Sequence, residues 1–153
     1  MPTQGTILVV DDSRNDVELL LRMFAQVGVQ NPVDVCHGGD EALEYLQRHK
    51  DKLPAIMLLD LKMPRRDGFW VLNKVKANPL LRDIVVIVLS TSSDLGEIQL
   101  AYDLGSNSFL TKPVNLSEFK AMISAFHNFW VISNQPAPKR GRWIKKPGAE
   151  DAE

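Results

Sequence analysis

A short apolar run near the middle of the chain limits the possible folds more than any other stretch. Residues 55–59 are all apolar, Asp60 follows them directly, and Pro54 and Pro64 bound the segment. A continuous apolar run of this length is typical of a strand that is buried on both faces, as in a parallel sheet. Asp60 then lies where the strand leaves the core, at the sheet edge where ligands bind in open parallel sheets.

Four further short runs and five segments of helical periodicity complete the pattern. The predicted strands cover residues 6–10, 33–36, 55–59, 84–89 and 108–110. The predicted helices, with their caps, cover residues 13–28, 40–47, 69–77, 94–105 and 115–130, since apolar residues recur there at helical spacing. Asp94 and Asn115 are typical helix starts, and Gly28 and Gly105 are typical helix ends. This alternation requires a parallel sheet with right-handed crossovers and helices on both faces.

Composition excludes several classes of function. The chain has 153 residues, enough for one ordinary domain, and a formal net charge of −1, so no global field draws it to nucleic acid or an anionic membrane. Cys36 is the only cysteine, which excludes an intramolecular disulfide and fits a reducing compartment. No basic leader or membrane-length apolar stretch is present. We therefore expect a cytoplasmic protein without a membrane partner.

The composition changes near the C-terminus, which indicates a domain boundary. We predict one domain over residues 1–132 and a disordered tail over residues 133–153, because the tail cannot bury much apolar area. The basic segment 139–146 surrounds Trp143 and could contact nucleic acid or an acidic surface. The acidic end at residues 150–153 partly cancels that charge, so a solvated tail is the better interpretation.

Polar groups follow four of the predicted strands: Asp11 and Asp12, Asp60, Ser90 and Lys112. Because parallel strands share a direction, these groups meet at one edge of the sheet. Three clustered carboxylates repel one another unless they are neutralised, and Mg²⁺ is bound in proteins through one or two carboxylates and waters. An aspartate can accept a phosphoryl group as a nucleophile, while Mg²⁺ and a lysine stabilise the transferring oxygens. A nearby hydroxyl such as Ser90 can then move to bond a phosphoryl oxygen.

These residues, in this order on a five-strand alternation, resemble the receiver domain of bacterial response regulators over roughly residues 6–130. The resemblance implies a flavodoxin-like (βα)5 doubly wound parallel sheet with strand order 2-1-3-4-5. It implies that Asp60 is the phospho-acceptor, and that Asp11, Asp12 and Asp60 hold Mg²⁺ together with the backbone carbonyl of Lys62. Lys112 would bind the phosphoryl group.

The resemblance also implies a switch. Ser90 would be the switch hydroxyl, Phe109 the switch aromatic, and the Lys112–Pro113 peptide is expected to be cis. Serine stands at 90 where threonine is commoner, and it keeps the hydroxyl. Phe109 stands where tyrosine is common, which puts in doubt any contact that needs a tyrosine hydroxyl.

Residues 60–64, 102–113 and 129–130 resemble the stand-alone regulators that are paired with bacterial phytochrome histidine kinases. The implied function is that of a phosphorelay module, which is not an enzyme beyond its own phosphotransfer and dephosphorylation. A sensor histidine kinase would phosphorylate it, and the surface around residues 94–130 would switch. The output would be a contact with a downstream protein or a phosphotransfer partner, and homodimerisation through that surface is a further hypothesis.

Three other interpretations compete with this one. A Mg²⁺-dependent aspartate phosphatase of the dehalogenase kind also uses an aspartate nucleophile, but it needs a second aspartate where this chain has Lys62. A receiver-like interaction domain with an unused site would not need the complete set of polar groups. A flavodoxin would need a phosphate-binding Gly/Ser/Thr loop after the first strand, and that loop is missing here.

Overall fold

The strands form because short apolar, mostly β-branched runs can be buried on both faces of a sheet. In the computed structural model, which describes residues 3–138, all five strands are parallel and lie in the order β2-β1-β3-β4-β5. The central strands β1, β3 and β4 are almost wholly buried, while the edge strands β2 and β5 are partly exposed. The strands are β1 (Ile7–Val10), β2 (Val33–Cys36), β3 (Ile56–Leu59), β4 (Val85–Ser90) and β5 (Ser108–Thr111).

A helix follows each strand, so the predicted flavodoxin-like α/β fold is confirmed. Two apolar clusters, one on each face of the sheet, make up the core. Within residues 3–138 no helix has the length and apolar character needed to cross a membrane. The helices are α1 (Arg14–Val27), α2 (Gly39–Arg48), α3 (Gly68–Ala77), α4 (Leu95–Asp103) and α5 (Leu116–Phe126).

The predicted helix caps are present. Asp94 accepts a hydrogen bond from the backbone N–H of Glu97 at 2.9 Å, and Asn115 accepts one from the N–H of Glu118 at 3.1 Å. Gly28, with φ of 85°, ends α1 in the left-handed conformation that glycine adopts most easily. These helices therefore begin or end where a capping residue satisfies free backbone groups.

Helix α4 departs most from a core-facing helix. Its apolar residues recur at helical spacing, yet Ala101 is its only buried residue. Leu95 is 81% exposed and Tyr102 is 47% exposed. The apolar face of α4 therefore adds little to the core and presents large apolar side chains on the surface.

The last helix continues further than a regular α-helix. A π-helix, η1 (His127–Ser133), follows α5 directly. It is anchored to the start of the chain, because the backbone N–H of Thr3 donates to the carbonyl of Val131 at 2.6 Å. Phe129, within this π-helix, is 56% exposed. The predicted basic and acidic tail segments lie outside the described residues.

Lys76 links three elements at the opposite end of the sheet from the polar edge. Its Nζ donates to the carbonyls of Arg82 at 3.0 Å and Ile84 at 2.6 Å, and to the Oδ1 of Asn107 at 3.0 Å. Burial lowers the pKa of this amine, which the charge of Asp83 partly opposes. The lysine thus ties α3 to the start of β4 and to the α4–β5 loop.

Candidate functional site

The strand register brings two of the predicted carboxylates together. Val10 pairs with Leu59, so Asp11 and Asp60 leave adjacent strands at the same level. One carboxylate oxygen from each of Asp11, Asp12 and Asp60 lies within 4.8 Å of the other two. Asp11 is buried, Asp60 is partly buried and Asp12 is exposed. Three oxygen ligands that converge on one point at the surface fit a hard divalent cation with room for water ligands.

Backbone hydrogen bonds hold two of these three residues, Asp11 and Asp60, in place. The N–H of Asp60 donates to the carbonyl of Val10 at 2.9 Å, and the N–H of Asp11 donates to the carbonyl of Cys36 at 3.0 Å. The Oδ1 of Asp11 also accepts the N–H of Ser13 at 2.9 Å, just before α1 begins. The sheet ladder therefore extends into the site, and little rearrangement is needed to bind a cation.

The protonation of Asp60 is perturbed. Burial raises the pKa of this carboxyl from 3.8 to about 6, and the neighbouring charge of Asp11 adds to the increase. Lys112 and a hydrogen bond from the backbone N–H of Lys62 oppose the increase. Burial and the charge of Asp11 therefore destabilise the ionised form of Asp60, and a bound divalent cation or Lys112 stabilises it.

Lys112 supplies the fixed positive charge. Its side chain is 12% exposed, and its Nζ donates to the Oδ2 of Asp11 at 3.0 Å and to the Oδ2 of Asp16 at 3.3 Å. Burial alone would lower the pKa of the ammonium, but the surrounding carboxylates of Asp11, Asp60 and Asp16 raise it. Lys112 thus remains a cation within the acidic cluster.

One expectation about this lysine is wrong. No cis peptide bond occurs within residues 3–138, so the Lys112–Pro113 peptide is trans. The trans form is the more stable one for an X–Pro bond by about 0.5–1 kcal/mol. The segment is nevertheless held against β4, since the backbone N–H of Lys112 donates to the carbonyl of Ser90 at 2.7 Å.

The predicted switch residues lie on β4 and β5. Ser90, at the end of β4, is fully buried, and its Oγ accepts the backbone N–H of Ser92 at 3.1 Å. Phe109, on β5, is partly buried against the apolar cluster that includes α3 and α4. Lys62 lies in the loop after β3 with its side chain exposed. The fold thus places Ser90 and Lys112 at the edge where the carboxylates meet.

The β3–α3 loop turns back tightly under Asp60, which explains Gly68. The backbone N–H of Gly68 donates to the carbonyl of Leu61 at 2.9 Å. A Cβ atom at position 68 would lie 2.7 Å from the Cα of Leu61 and would also collide with the carbonyl oxygen of Asp60. In the same loop Arg65 has a φ of 66°, which non-glycine residues seldom adopt.

Sequence reasoning missed Asp16, the second partner of Lys112. It occupies the third position of α1, where its N–H donates to the Oγ of Ser13 at 3.3 Å. The spacing of a serine cap and an acid three residues later signals a helix start. That signal gives no indication that the carboxylate also reaches a lysine that follows the last strand.

Comparison with known proteins identifies the family. The model of the response regulator receiver domain matches residues 7–124, which is most of the chain. The chain belongs to the response regulator receiver domain family. This places it among signalling domains rather than classical enzymes.

Two curated relatives are matched along most of their length. Response regulator Rcp1 of Synechocystis sp. is 33% identical over 129 residues, which cover 82% of this chain and 88% of Rcp1. The probable methanogenesis regulatory protein FilR2 of Methanothrix harundinacea is 34% identical over 136 residues, which cover 86% of this chain and 88% of FilR2.

Solved structures give the same family. The phosphorylated cyanobacterial phytochrome response regulator RcpA has a TM-score of 0.82 at 32% identity, with 89% of this chain and 100% of that chain covered. The Mn²⁺-bound form of Rcp1 has a TM-score of 0.80 at 30% identity, with 88% and 99% covered. The chain therefore resembles stand-alone phytochrome response regulators, as its sequence motifs predict.

Proposed function

We propose that this protein is a phosphoryl acceptor in a two-component phosphorelay, with Asp60 as the phosphorylated residue and Mg²⁺ as the cofactor. The observation that carries the proposal is the convergence of Asp11, Asp12 and Asp60 within 4.8 Å, with the Lys112 ammonium 3.0 Å from Asp11. One relative with a closely similar fold has a Mn²⁺-bound form, and another has a phosphorylated form. Both properties belong to those proteins and support the same chemistry here.

The residues divide the reaction between them. A carboxylate oxygen of Asp60 attacks the phosphorus of a phosphohistidine, so that a P–O bond forms as the P–N bond to imidazole breaks. Asp11, Asp12 and Asp60 would hold Mg²⁺, with the backbone carbonyl of Lys62 as a further ligand. When bound, Mg²⁺ neutralises the charge that accumulates on the transferring oxygens. With a pKa of about 6, Asp60 is ionised and nucleophilic at neutral pH.

Ser90 would convert phosphorylation into a change of shape. A chain of hydrogen bonds runs from it to α4: Ser90 accepts the N–H of Ser92, Ser92 accepts the N–H of Asp94 at 3.2 Å, and Asp94 caps the helix at Glu97. If the Ser90 hydroxyl turned to a phosphoryl oxygen, the first bond of this chain would change. Phe109, beside α4 on β5, would move with it.

The output surface would then be the α4–β5–α5 face. Its apolar side chains are exposed, with Leu95 at 81%, Leu116 at 59% and Tyr102 at 47%. Exposed apolar residues of this size in one region favour a protein partner. That partner would be a downstream protein, a phosphotransfer protein or a second copy of this chain, and not nucleic acid.

The upstream partner would be a cytoplasmic sensor histidine kinase of the phytochrome type, since relatives with closely similar folds are named phytochrome response regulators. A groove of about 250 Å³ lies beside Lys112, between α1 and the start of α5, and is a candidate docking surface for this kinase. Val114 on its rim is fully exposed, and Leu19 and Leu116 extend the apolar lining. An apolar helix face of the kinase could dock there and bring its phosphohistidine to Asp60.

The test is intact mass spectrometry after incubation with acetyl phosphate and Mg²⁺. Wild type should gain one phosphoryl group, whereas Asp60→Asn and wild type with a chelator should gain none. Asp51→Asn, at an exposed carboxylate that precedes β3 and so lies towards the opposite end of the sheet from the site, is the matched control and should behave as wild type. Equal phosphorylation of wild type and Asp60→Asn would show that Asp60 is not the acceptor. Sustained turnover of a phosphate ester would instead favour an aspartate phosphatase.

A further inference from the structure

A carboxylate outside the acidic triad of Asp11, Asp12 and Asp60 contacts Lys112. The Lys112 Nζ lies 3.0 Å from the Oδ2 of Asp11 and 3.3 Å from the Oδ2 of Asp16. Asp16 belongs to the first turn of α1 and is 48% exposed, whereas the Lys112 side chain is only 12% exposed. The ammonium is therefore shared between a triad carboxylate and a carboxylate that is not among the convergent oxygen ligands.

We propose that Asp16 is a positioning residue that holds the Lys112 ammonium at α1 in the resting protein and competes with the phosphoryl group for it. The proposal rests on the proposed function of the site. An ammonium has three N–H donors, and two of them are used by Asp11 and Asp16. One donor is left for a phosphoryl group on Asp60, and movement of the Nζ towards that group would lengthen its contact with one of the two carboxylates.

Asp16 is the carboxylate that can give way. Asp11 is buried, also accepts the N–H of Ser13 at 2.9 Å, and belongs to the proposed cation ligands, so it is fixed by two further contacts. Within residues 3–138, the side chain of Asp16 makes no hydrogen bond or ion pair except its contact with Lys112. Release of Lys112 from Asp16 therefore leaves an exposed carboxylate that water can solvate, at little cost in free energy.

A purely structural role for Asp16 makes different predictions. An acidic residue in the first turn of a helix stabilises that helix through its dipole, and Asp16 has that position in α1. Such a role would change stability when Asp16 is replaced. It would not make the effect of an Asp16 substitution on the affinity for a phosphoryl mimic depend on whether Lys112 is present.

The experiment measures the affinity of the full chain for beryllofluoride, a phosphoryl mimic, by calorimetric titration with excess Mg²⁺. Asp16→Asn should bind about 1.5- to 5-fold more tightly than wild type, which is the range for a partly exposed ion pair. Asp16→Glu, which can restore the pair, should return to the wild-type value. Glu18→Gln removes an exposed charge from the same helix at a residue that forms no ion pair within residues 3–138, and it should match wild type.

A double-mutant cycle decides between competition for Lys112 and other effects of charge. In a Lys112→Met background the substitution Asp16→Asn should no longer change the affinity. A gain that persists without Lys112, an equal gain in Glu18→Gln, or no gain at all would overturn the proposal. If wild type neither binds beryllofluoride nor gains a phosphoryl group from acetyl phosphate, the proposed function itself fails, which is a distinct result.

Discussion

Replacement of Asp60 by asparagine should stabilise the metal-free protein near neutral pH, although it removes the proposed nucleophile. Burial and the charge of Asp11 raise the pKa of Asp60 from 3.8 to about 6 in the folded protein. Between these two values the folded protein keeps a proton that the unfolded chain has lost. The free energy of unfolding therefore falls as the pH rises through this window, and the loss is complete above the folded pKa.

The size of the effect follows from the two pKa values. Near pH 7.5 the ionised carboxylate lowers the free energy of unfolding by about 3 kcal/mol, since each tenfold change in the ionisation constant corresponds to about 1.4 kcal/mol. Near pH 4 the same calculation gives only about 0.6 kcal/mol. An asparagine at position 60 carries no charge and keeps an oxygen that can accept the backbone N–H of Lys62. The variant should therefore recover most of this free energy.

Urea denaturation of wild type and Asp60→Asn, with EDTA present, tests the calculation. The variant should be more stable near pH 7.5, and the difference should shrink towards pH 4. Saturating Mg²⁺ should reverse the order, because only wild type retains the complete ligand set. Asp51→Asn controls for the loss of an exposed charge. Equal stability of Asp60→Asn and wild type near pH 7.5, or a difference that does not change with pH, would refute the reasoning.

Three other perturbations test the packing of the fold and the cation. Lys76→Met should lower the free energy of unfolding in urea by about 1–3 kcal/mol because it leaves the carbonyl of buried Ile84 without this donor, whereas exposed Lys120→Met should change it by less than about 0.5 kcal/mol. Gly68→Ala should cost about 2–3 kcal/mol in the same assay, and Gly38→Ala, which has open space around it, about 1 kcal/mol or less. Mg²⁺ at about 100 times its Kd should add about 2.7 kcal/mol to wild type in thermal or urea unfolding, and Asp12→Asn should reduce that gain.

The parts of the site that depend on strand ends were predictable from the sequence. Asp11, Asp60 and Ser90 each follow a short apolar run, and parallel strands place such residues on one edge whatever their order. That Asp11 and Asp60 are direct neighbours requires β1 to pair with β3. Periodicity does not determine this pairing, and only the resemblance to receiver domains implied it.

The remaining features depend on contacts that local sequence does not encode. Asp16 reaches Lys112 across 96 residues of chain, and nothing in either segment indicates that contact. Helical spacing predicts an apolar face for α4, but it does not determine whether that face meets the core or solvent, and Leu95 meets solvent. The trans Lys112–Pro113 peptide contradicts a family expectation that has no local signal in the sequence.

Packing is distributed unevenly around the site. On one side the site rests on β1 and β3, whose residues are completely buried and whose ladder continues into Asp60. On the other side it faces β5, which is partly exposed, and α4, which buries only Ala101. Elements with few buried contacts open and shift at the lowest free energy. A change at Ser90, which lies between the two regions, would therefore be absorbed by α4 and β5 rather than by the sheet centre.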